Sequence, residues 1–325
     1  MAGGTLNCLV ISDGRRGIEN QALGLAQAAG TLRALNIETR IISHKGLMKA
    51  CPPRLQLALW PKPKNYGLPN IAPHIAIGCG RQAIAPLRAL KAARGADIFT
   101  VYVQDPRVNC RHFDMVIAPE HDGLSGANVE TMIGSPSRVN AAMLAAAKAQ
   151  FNAQLSTLPA SKIAVLIGGA SKSRALSKNI HAQHLAAICA LVENGHGVMI
   201  TTSRRTPDWA VADYRAMAQD IDSVWFYEGG EPNPYFAFLA SADAILITEE
   251  STNMLTEACA TGAPVFRLPM GGQAGKFEQL YSALKTRCHL TPFDGVITAK
   301  PYAPLNETAR MAQRLWTRYD GRKHS

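Results

Sequence analysis

The sequence has no long hydrophobic run, no paired cysteines and few aromatic residues, and each absence excludes a class of protein. No apolar stretch approaches the roughly 18–20 residues that span a bilayer. The apolar start at Leu6–Ile11 has no basic segment before it, so it predicts a first strand and not a signal peptide. The seven scattered cysteines form no C-x-x-C pair, which excludes a zinc ribbon or a redox dithiol. We therefore expect a cytoplasmic protein with reduced thiols.

The charge balance narrows the class of partner. The formal net charge is +10, yet aromatic residues are only 6% of the chain and the basic residues are dispersed. Nucleic-acid-binding proteins usually concentrate their charge and interleave it with aromatic side chains. The surplus therefore favours anionic small ligands or an anionic membrane surface over nucleic acid. Nothing in the sequence indicates the oligomeric state.

Short β-branched runs alternate with helical patterns from end to end. This alternation is typical of parallel sheets covered by helices, so it predicts the α/β class with two Rossmann-like parallel-sheet domains. The predicted strands are Leu6–Ile11, Ile37–Ile42, His74–Ile77, Ile98–Val103, Met115–Ala118, Ile163–Ile167, Val198–Thr201, Val224–Phe226, Ala244–Thr248 and Val265–Leu268. Residues 51–73, with six prolines, predict an irregular excursion.

A Ser/Thr/Pro linker at residues 155–161 suggests where the two domains meet. It follows an Ala-rich helix at 140–154 and precedes a fresh strand. We expect an N-terminal, acceptor-side domain over 1–157, joined by a C-terminal helix at 304–320, and a nucleotide-side domain over 158–303. Two such domains facing a cleft would bind ligands at the carboxyl ends of their strands.

Loops at strand ends in the second half carry the residue types that bind a phosphorylated ligand. Ser251 can cap a helix whose N–H groups suit phosphate, and Glu257, inside that helix, can accept both hydroxyls of a ribose. The nucleotide-binding candidates are Gly168, Gly169, Ser171, Lys172, Ser203, Ser251, Thr252, Asn253 and Glu257. Arg204, Arg205 and Lys276 are candidates for stabilising a departing diphosphate. No P-loop motif is present, and no metal or other cofactor is expected.

The first half has a second set of strand-end loops. Its candidate general bases are Asp13, His121 and Asp122. The other acceptor-side candidates are Arg15, Arg16, Gly17, Glu19, Asn20, Gly80, Arg81 and Asp105. Tyr281 and Lys285 match the Tyr-x-x-x-Lys pair of short-chain dehydrogenases and epimerases, but they lie late in the chain on a predicted packing helix.

Several segments together resemble the mitochondrial-fission "elongated mitochondria" family of plants and bacteria. The resemblance covers nearly the whole chain and rests on residues 12–26, 77–81, 103–107, 118–122, 201–207, 233–235 and 248–258. The chain departs from the family's pattern at Arg15-Arg16, where a Lys/Arg-Pro-Gly-His loop is common. It also departs at Glu250, where Asp is usual.

The resemblance implies two different kinds of function. The plant member is understood to help recruit a dynamin-related protein to mitochondria, while bacterial members are often named nucleoside-diphosphate-sugar epimerases. Separately, the Ser–Glu–Gly–Pro segment from Ser251 resembles the donor-binding region of GT-B glycosyltransferases. That local similarity implies ribose at Glu257 and diphosphate near Gly169–Ser171 and Ser251–Asn253.

We therefore expect a GT-B-like protein that binds a nucleotide-sugar and, if catalytic, performs metal-independent glycosyl transfer. Its basic surface would hold it peripherally on the inner face of a membrane, near a lipid-linked acceptor. The alternatives are a non-catalytic adaptor that recruits a protein partner, and an NAD-dependent nucleoside-diphosphate-sugar epimerase. The nucleotide base, the sugar and the acceptor are left open.

Overall fold

A computed structural model describes residues 4–44, 46–68, 72–171, 173–298 and 301–322. The chain divides into two compact units, one running to Arg138 and resuming at Asn306, the other spanning Val139–Leu305. The first unit begins with β1 Leu6–Ser12, α1 Arg16–Leu32, β2 Leu35–Ile41, α2 Gly46–Ala50, α3 Pro53–Leu59, β3 Ile75–Cys79, α4 Ile84–Arg94, β4 Phe99–Val103, β5 Met115–Pro119 and β6 Val129–Met132.

The second unit follows the same strand–helix alternation. Its elements are α5 Ala141–Gln150, α6 Asn152–Leu155, β7 Lys162–Ile167, β8 Arg174–Ala175, α7 Lys178–Glu193, β9 Gly197–Thr202, α8 Asp208–Asp220, β10 Val224–Tyr227, α9 Tyr235–Ser241, β11 Ala244–Thr248, α10 Thr252–Cys259, β12 Val265–Leu268, β13 Gly271–Gly272, α11 Phe277–Cys288 and β14 Thr291–Pro292. The chain then returns to the first unit as α12 Glu307–Gly321.

The first unit is a parallel six-stranded sheet in the order β2-β1-β3-β4-β5-β6. β1 pairs in register with both neighbours, Val10 lying opposite Thr39 of β2 and Ile77 of β3. Apolar side chains of α1 and α12 cover one face, and those of α4 contribute to the cluster on the other. The near-continuous apolar strands β3, β4 and β5 are fully buried, as expected for a sheet covered on both faces.

The C-terminal helix α12 is held in the first unit by specific polar contacts as well as by packing. Arg314 forms two hydrogen bonds with the Glu130 carboxylate, at 2.9 and 3.0 Å, and Arg318 donates to it at 2.7 Å. The Trp316 indole N–H donates to the carbonyl of Ala29 at 3.0 Å. α12 is therefore part of the first unit's core layer, although it follows the second unit in sequence.

The second unit also has a parallel six-stranded sheet, in the order β10-β9-β7-β11-β12-β14. β8 and β13 form a separate antiparallel pair. Helix α5 packs against α9, so the division of the chain precedes α5. The Ser/Thr/Pro linker at residues 155–161 instead predicted a boundary after this helix, between residues 157 and 158.

The predicted α/β class with two parallel-sheet units is confirmed, and each of the ten predicted strands corresponds to an observed one. The short edge strand β6 was missed because Val129 and Met132 are its only apolar residues. The prediction of irregular structure for residues 51–73 was incomplete, because Pro53 starts the short helix α3. Residues 69–71 of that stretch lie outside the described chain.

Candidate functional site

The second unit has a topological switch point between β7 and β11. The chain proceeds outward from β7 to β9 and β10 on one side, then returns to β11 on the other. β7 and β11 pair in parallel, with Val165 opposite Leu246. Ligands of open α/β sheets bind outside the carboxyl ends of the strands at such a point. The loops that start at Gly168 and Glu249 meet here.

The Glu250 carboxylate lies directly over the glycine loop. Its Oε1 accepts a hydrogen bond from the Gly169 N–H at 3.0 Å, and a Cβ atom at Gly168 would lie only 1.5 Å from that oxygen. The Thr248 hydroxyl accepts from the Gly168 N–H at 2.7 Å. Glu250 is buried, and no residue that the structure describes donates a hydrogen bond to its Oε2. Any side chain at position 168 would therefore force the buried Glu250 carboxylate to shift.

A turn between β9 and α8 completes this side of the switch point. The Thr206 hydroxyl donates to the Gly168 carbonyl at 2.8 Å, and the Arg205 guanidinium donates to the Ala170 carbonyl at 3.1 Å. Arg205 also lies 3.7 Å from Glu250 Oε1, and its side chain is half exposed. The predicted glycines and one predicted arginine are thus brought together.

Other predicted phosphate ligands lie on the same loops. The Ser203 hydroxyl accepts from the Arg205 N–H at 3.2 Å, which fixes the turn, and Arg204 is exposed on it. The Ser171 hydroxyl accepts from the Arg174 N–H at 3.1 Å. Lys172 lies outside the described residues.

Helix α10 begins at the end of β11 and carries the predicted ribose ligand. The Ser251 hydroxyl caps it by accepting from the Met254 N–H at 3.4 Å, with Thr252 and Asn253 in the first turn. Glu257 is buried, and its Oε2 accepts a hydrogen bond from the Tyr235 hydroxyl at 2.7 Å. The site therefore includes a tyrosine that the sequence analysis did not identify.

Tyr235 is a fixed hydrogen-bond donor to Glu257. Burial, followed by the charge of Glu257 and the hydrogen bond between them, raises the pKa of Tyr235 well above its usual range. The Asn233 side chain accepts from the Tyr235 N–H at 2.9 Å and so shapes the start of α9. The phenol stays protonated, and it holds the carboxylate in one orientation.

A buried ionic network lies beside the switch point. Glu249 forms ion pairs with Arg174 and Arg267, each at 2.9 Å. The Tyr281 hydroxyl donates to the Glu249 carbonyl at 2.6 Å, and burial is the main cause that raises its pKa. Tyr281, from the Tyr-x-x-x-Lys pair, is thus a buried structural donor. Lys276 lies just before α11, in the loop that follows β13.

The first unit places some of its predicted residues together at its own switch point, between β1 and β3. The Asp13 side chain is 1% exposed and forms an ion pair with Arg15 at 2.6 Å. Gly80 has φ +81°, and a Cβ there would lie 3.6 Å from the Asp13 carboxylate and 3.7 Å from the Arg15 guanidinium. Asp13, Arg15 and Gly80 therefore form one cluster.

The remaining first-unit candidates are spread along the sheet edge. Arg16, Gly17, Glu19 and Asn20 lie in the first turns of α1, and Arg81 donates to the Cys51 carbonyl at 3.4 Å. Asp105, after β4, forms an ion pair with Arg107 at 2.9 Å.

The candidate bases do not form one constellation. His121 and Asp122 follow β5, which is separated from β1 by β3 and β4. At roughly 4.8 Å between strands, three steps place them about 14 Å from Asp13. They are therefore alternatives to Asp13 and not its partners.

Sequence reasoning missed Glu249, Glu250 and Tyr235 as parts of the site. For Glu249 and Glu250, the available signal was a pair of acidic residues directly after a buried strand, where a buried charge is costly unless it has a partner.

Within the described part of the chain, no helix combines the length and apolar character needed to cross a membrane.

Comparison with solved structures identifies the fold as GT-B. Acinetobacter baumannii MurG aligns with a TM-score of 0.53 at 13% identity, covering 96% of this chain and 99% of that one. Escherichia coli ADP-heptose LPS heptosyltransferase II aligns at 0.52 and 13% identity, covering 98% and 100%. Methanocaldococcus jannaschii UDP-GlcNAc 2-epimerase, in complex with UDP-GlcNAc and UDP, aligns at 0.52 and 10% identity, covering 97% and 99%. The predicted GT-B-like architecture is confirmed.

Comparison of sequences shows the family. Mitochondrial fission protein ELM1 of Arabidopsis thaliana is 26% identical over 269 residues, which is 75% of this chain and 63% of the plant protein. The chain thus spans less than two thirds of that relative's length. A family model described as mitochondrial fission ELM1 matches residues 16–319. The resemblance drawn from the sequence motifs is confirmed: the chain belongs to the mitochondrial fission ELM1 family.

Proposed function

We propose that the second unit binds a nucleotide-sugar at the carboxyl ends of β7 and β11. The observation that carries the proposal is the convergence of three features at one switch point. A glycine loop at Gly168 and Gly169, with the Glu250 carboxylate against it, follows β7; a Ser251-capped helix follows β11, and the buried Glu257 carboxylate lies inside that helix. Glycine loops and helix N-termini are sites where phosphate groups bind.

The diphosphate and the ribose of such a ligand each have complementary groups. The helix N-terminus at Ser251–Asn253 and the exposed cationic side chains of Arg204 and Arg205 provide donors for a diphosphate. Glu257, oriented by Tyr235, is the acceptor for ribose hydroxyls. The fold is shared with a 2-epimerase whose solved structure contains UDP-GlcNAc and UDP, which supports a ligand of this class.

The reaction we propose is glycosyl transfer without a metal. Arg204, Arg205 and Lys276 stabilise the diphosphate as it leaves the sugar. One group of the first unit, Asp13, His121 or Asp122, deprotonates the acceptor. The ion pair with Arg15 at 2.6 Å holds the Asp13 side chain in place. We also propose a cytoplasmic location with peripheral attachment to an anionic membrane surface.

One observation favours a second candidate, a non-catalytic adaptor. The Glu250 carboxylate already accepts the Gly169 N–H, the group that a phosphate oxygen would use. A carboxylate at that position repels an anion, so the fold can be retained here for binding a protein partner instead. Membership of a family described by mitochondrial fission supports this alternative.

A thermal-shift screen distinguishes the nucleotide-sugar-binding protein from the non-catalytic adaptor. The full chain is tested with UDP, GDP, ADP, CMP and their sugar conjugates, with NAD as a control for the epimerase alternative. A ligand at 100 times its Kd stabilises the folded state by about 2.7 kcal/mol. We expect one nucleotide to give this shift in the wild type and in Glu193→Gln, an exposed control, but not in Glu257→Ala. A flat screen with folded protein would contradict the nucleotide site and favour the adaptor.

A further inference from the structure

A segment of the first unit is uniformly basic and is rich in leucine. Residues 46–68 contain four Lys or Arg and no Asp or Glu. The four basic side chains are exposed: Lys49, Arg54, Lys62 and Lys64. This segment, which we call the basic leucine segment, comprises α2, α3 and the single 3-10 turn at Pro63–Tyr66. Its charge is complementary to an anionic surface.

The same segment exposes large apolar side chains. Leu47, Leu55 and Leu59 are 83%, 55% and 62% exposed. Leu55 and Leu59 are four residues apart in α3, so they lie on one face of that helix. Exposed apolar groups that cluster within a polar or charged rim mark interaction sites more often than inert surface.

The opposite side of the segment is anchored, so the leucines are not exposed by loose packing. Gln56 is buried and donates to the carbonyls of Met48 and Cys51, at 2.7 and 2.9 Å. The Tyr66 hydroxyl donates to the Trp60 carbonyl at 2.9 Å. Met48, Leu57 and Trp60 pack against the core cluster beside α4. The two faces of α3 are therefore distinct, one turned to the core and one to solvent.

We propose that the basic leucine segment binds the surface of an anionic lipid bilayer, with the α3 leucines inserted among the acyl chains. Amphipathic helices that combine Lys or Arg with exposed Leu lie in the membrane interface in this way. The segment lies in the first unit, so the inference extends the proposed membrane attachment and does not depend on the nucleotide site.

A bilayer fits the segment better than a second copy of this chain. A symmetric dimer through the segment would place four positive charges against the same four charges of its partner. Like charges facing each other oppose association. An anionic bilayer instead offers acyl chains for the leucines and lipid phosphates for the basic residues.

Vesicle co-sedimentation of the full chain, without nucleotide, tests the proposal. The vesicles are phosphatidylcholine alone, or phosphatidylcholine with an equal amount of phosphatidylglycerol. We expect tight binding only when phosphatidylglycerol is present. Lys49→Gln with Lys64→Gln should weaken binding about 25-fold, because each basic side chain near an anionic surface contributes about fivefold. Leu55→Ser with Leu59→Ser should weaken it by about tenfold or more.

Matched pairs elsewhere on the chain serve as controls. Leu32→Ser with Val296→Ser changes exposed apolar side chains, and Lys148→Gln with Lys178→Gln changes exposed lysines. Both pairs should bind as the wild type does, and circular dichroism checks that every variant is folded. Absence of binding to anionic vesicles, or equal losses in test and control pairs, would overturn the proposal. So would a dimer in size-exclusion chromatography that the leucine pair abolishes while vesicle binding persists.

Discussion

The Glu250 carboxylate lies against the backbone of Gly168, and no side chain other than hydrogen fits between them. A Cβ at Gly168 would lie 1.5 Å from Oε1 and 2.8 Å from Oε2 of Glu250. The contact joins the ends of β7 and β11, which are distant in sequence but adjacent in the sheet. It fixes both loops of the proposed nucleotide site at once.

Gly168→Ala should therefore destabilise the second unit. Glu250 is buried and cannot move without losing its hydrogen bond from Gly169, so overpacking should cost about 1–3 kcal/mol of unfolding free energy. Urea denaturation measures this loss. Gly321→Ala, where the added Cβ meets nothing within 4 Å, is the control and should be nearly neutral. Equal stability of the two variants would refute the contact.

Adding Glu250→Ala to Gly168→Ala makes the test specific. Because the second substitution removes the clashing carboxylate, the two changes should couple, with the double variant more stable than the sum of single effects predicts. Double-variant cycles of contacting residues show couplings of about 0.5–3 kcal/mol. Simple additivity would mean that the Gly168→Ala substitution destabilises the protein for another reason.

Glu250→Gln should strengthen nucleoside-diphosphate binding. The amide keeps an oxygen that can accept the Gly169 N–H. It removes a negative charge from the proposed phosphate site, and it frees Arg205, which lies 3.7 Å from Glu250 Oε1 in the wild type, to bind phosphate. We expect the Kd to fall about tenfold, equivalent to about 1.4 kcal/mol. Isothermal titration calorimetry with the nucleotide found in the screen measures it. Weaker binding in the variant would instead make Glu250 a direct ligand.

Tyr235→Phe should weaken ligand binding through Glu257. The substitution removes the 2.7 Å hydrogen bond that orients the buried Glu257 carboxylate, so one carboxylate oxygen loses a donor. A loss of about 1–2 kcal/mol in stability is expected, together with a Kd raised about five- to tenfold. Tyr66→Phe in the first unit loses a hydrogen bond of similar kind at 2.9 Å and should bind nucleotide normally. Unchanged affinity in Tyr235→Phe would exclude the positioning role.

His184 should make the fold sensitive to mild acid. Burial lowers its pKa to about 4, and the nearby His181 contributes, whereas the hydrogen bond to the Pro269 carbonyl opposes the shift. Among the described residues, its Nδ1 has no hydrogen-bond partner, so none accepts from that nitrogen once it is protonated. Because the folded pKa lies below the unfolded value of about 6.5, the unfolded state binds the extra proton. The contribution of His184 to the unfolding free energy has its full value above pH 6.5 and decreases as the pH falls toward 4.

His184 alone should lower the unfolding free energy at pH 5 by about 2 kcal/mol relative to pH 7. Urea unfolding of the wild type and of His184→Gln at both pH values isolates it, since His181 and its partner Asp213 remain in both proteins. The variant should show a correspondingly smaller pH dependence. Equal pH dependence in the two proteins would contradict the lowered pKa.

The sequence predicted the strands well because their signal is local. Buried parallel strands such as Ala244–Thr248 are continuous apolar runs, and the observed bounds of that strand match the prediction. The glycine loop was also predictable, since its residues follow a strand directly. The edge strand β6 lacked such a run, and α3 lay within a proline-rich stretch that suggested irregular structure.

The internal contacts of the site could not be predicted in the same way. Tyr235 and Glu257 are 22 residues apart on different helices, and no spacing rule brings them together. The sequence marks Glu250 only as a departure from a family pattern. Its contact with Gly168 could not be predicted, because that contact depends on which strands are neighbours in the sheet. Strand order is a tertiary property, and it decides which loops of the chain meet.

Hydrogen–deuterium exchange of the full chain with and without the nucleotide found in the screen tests the central claim most directly. If the second unit holds the nucleotide at its switch point, the amides of residues 168–171 and 251–257 will exchange more slowly when the ligand is bound. Peptides from the C-terminal half of α8 should be unaffected and serve as the internal reference. Protection confined to residues 13–17 and 80–82 of the first unit would contradict the account, because it would place the nucleotide at the other sheet.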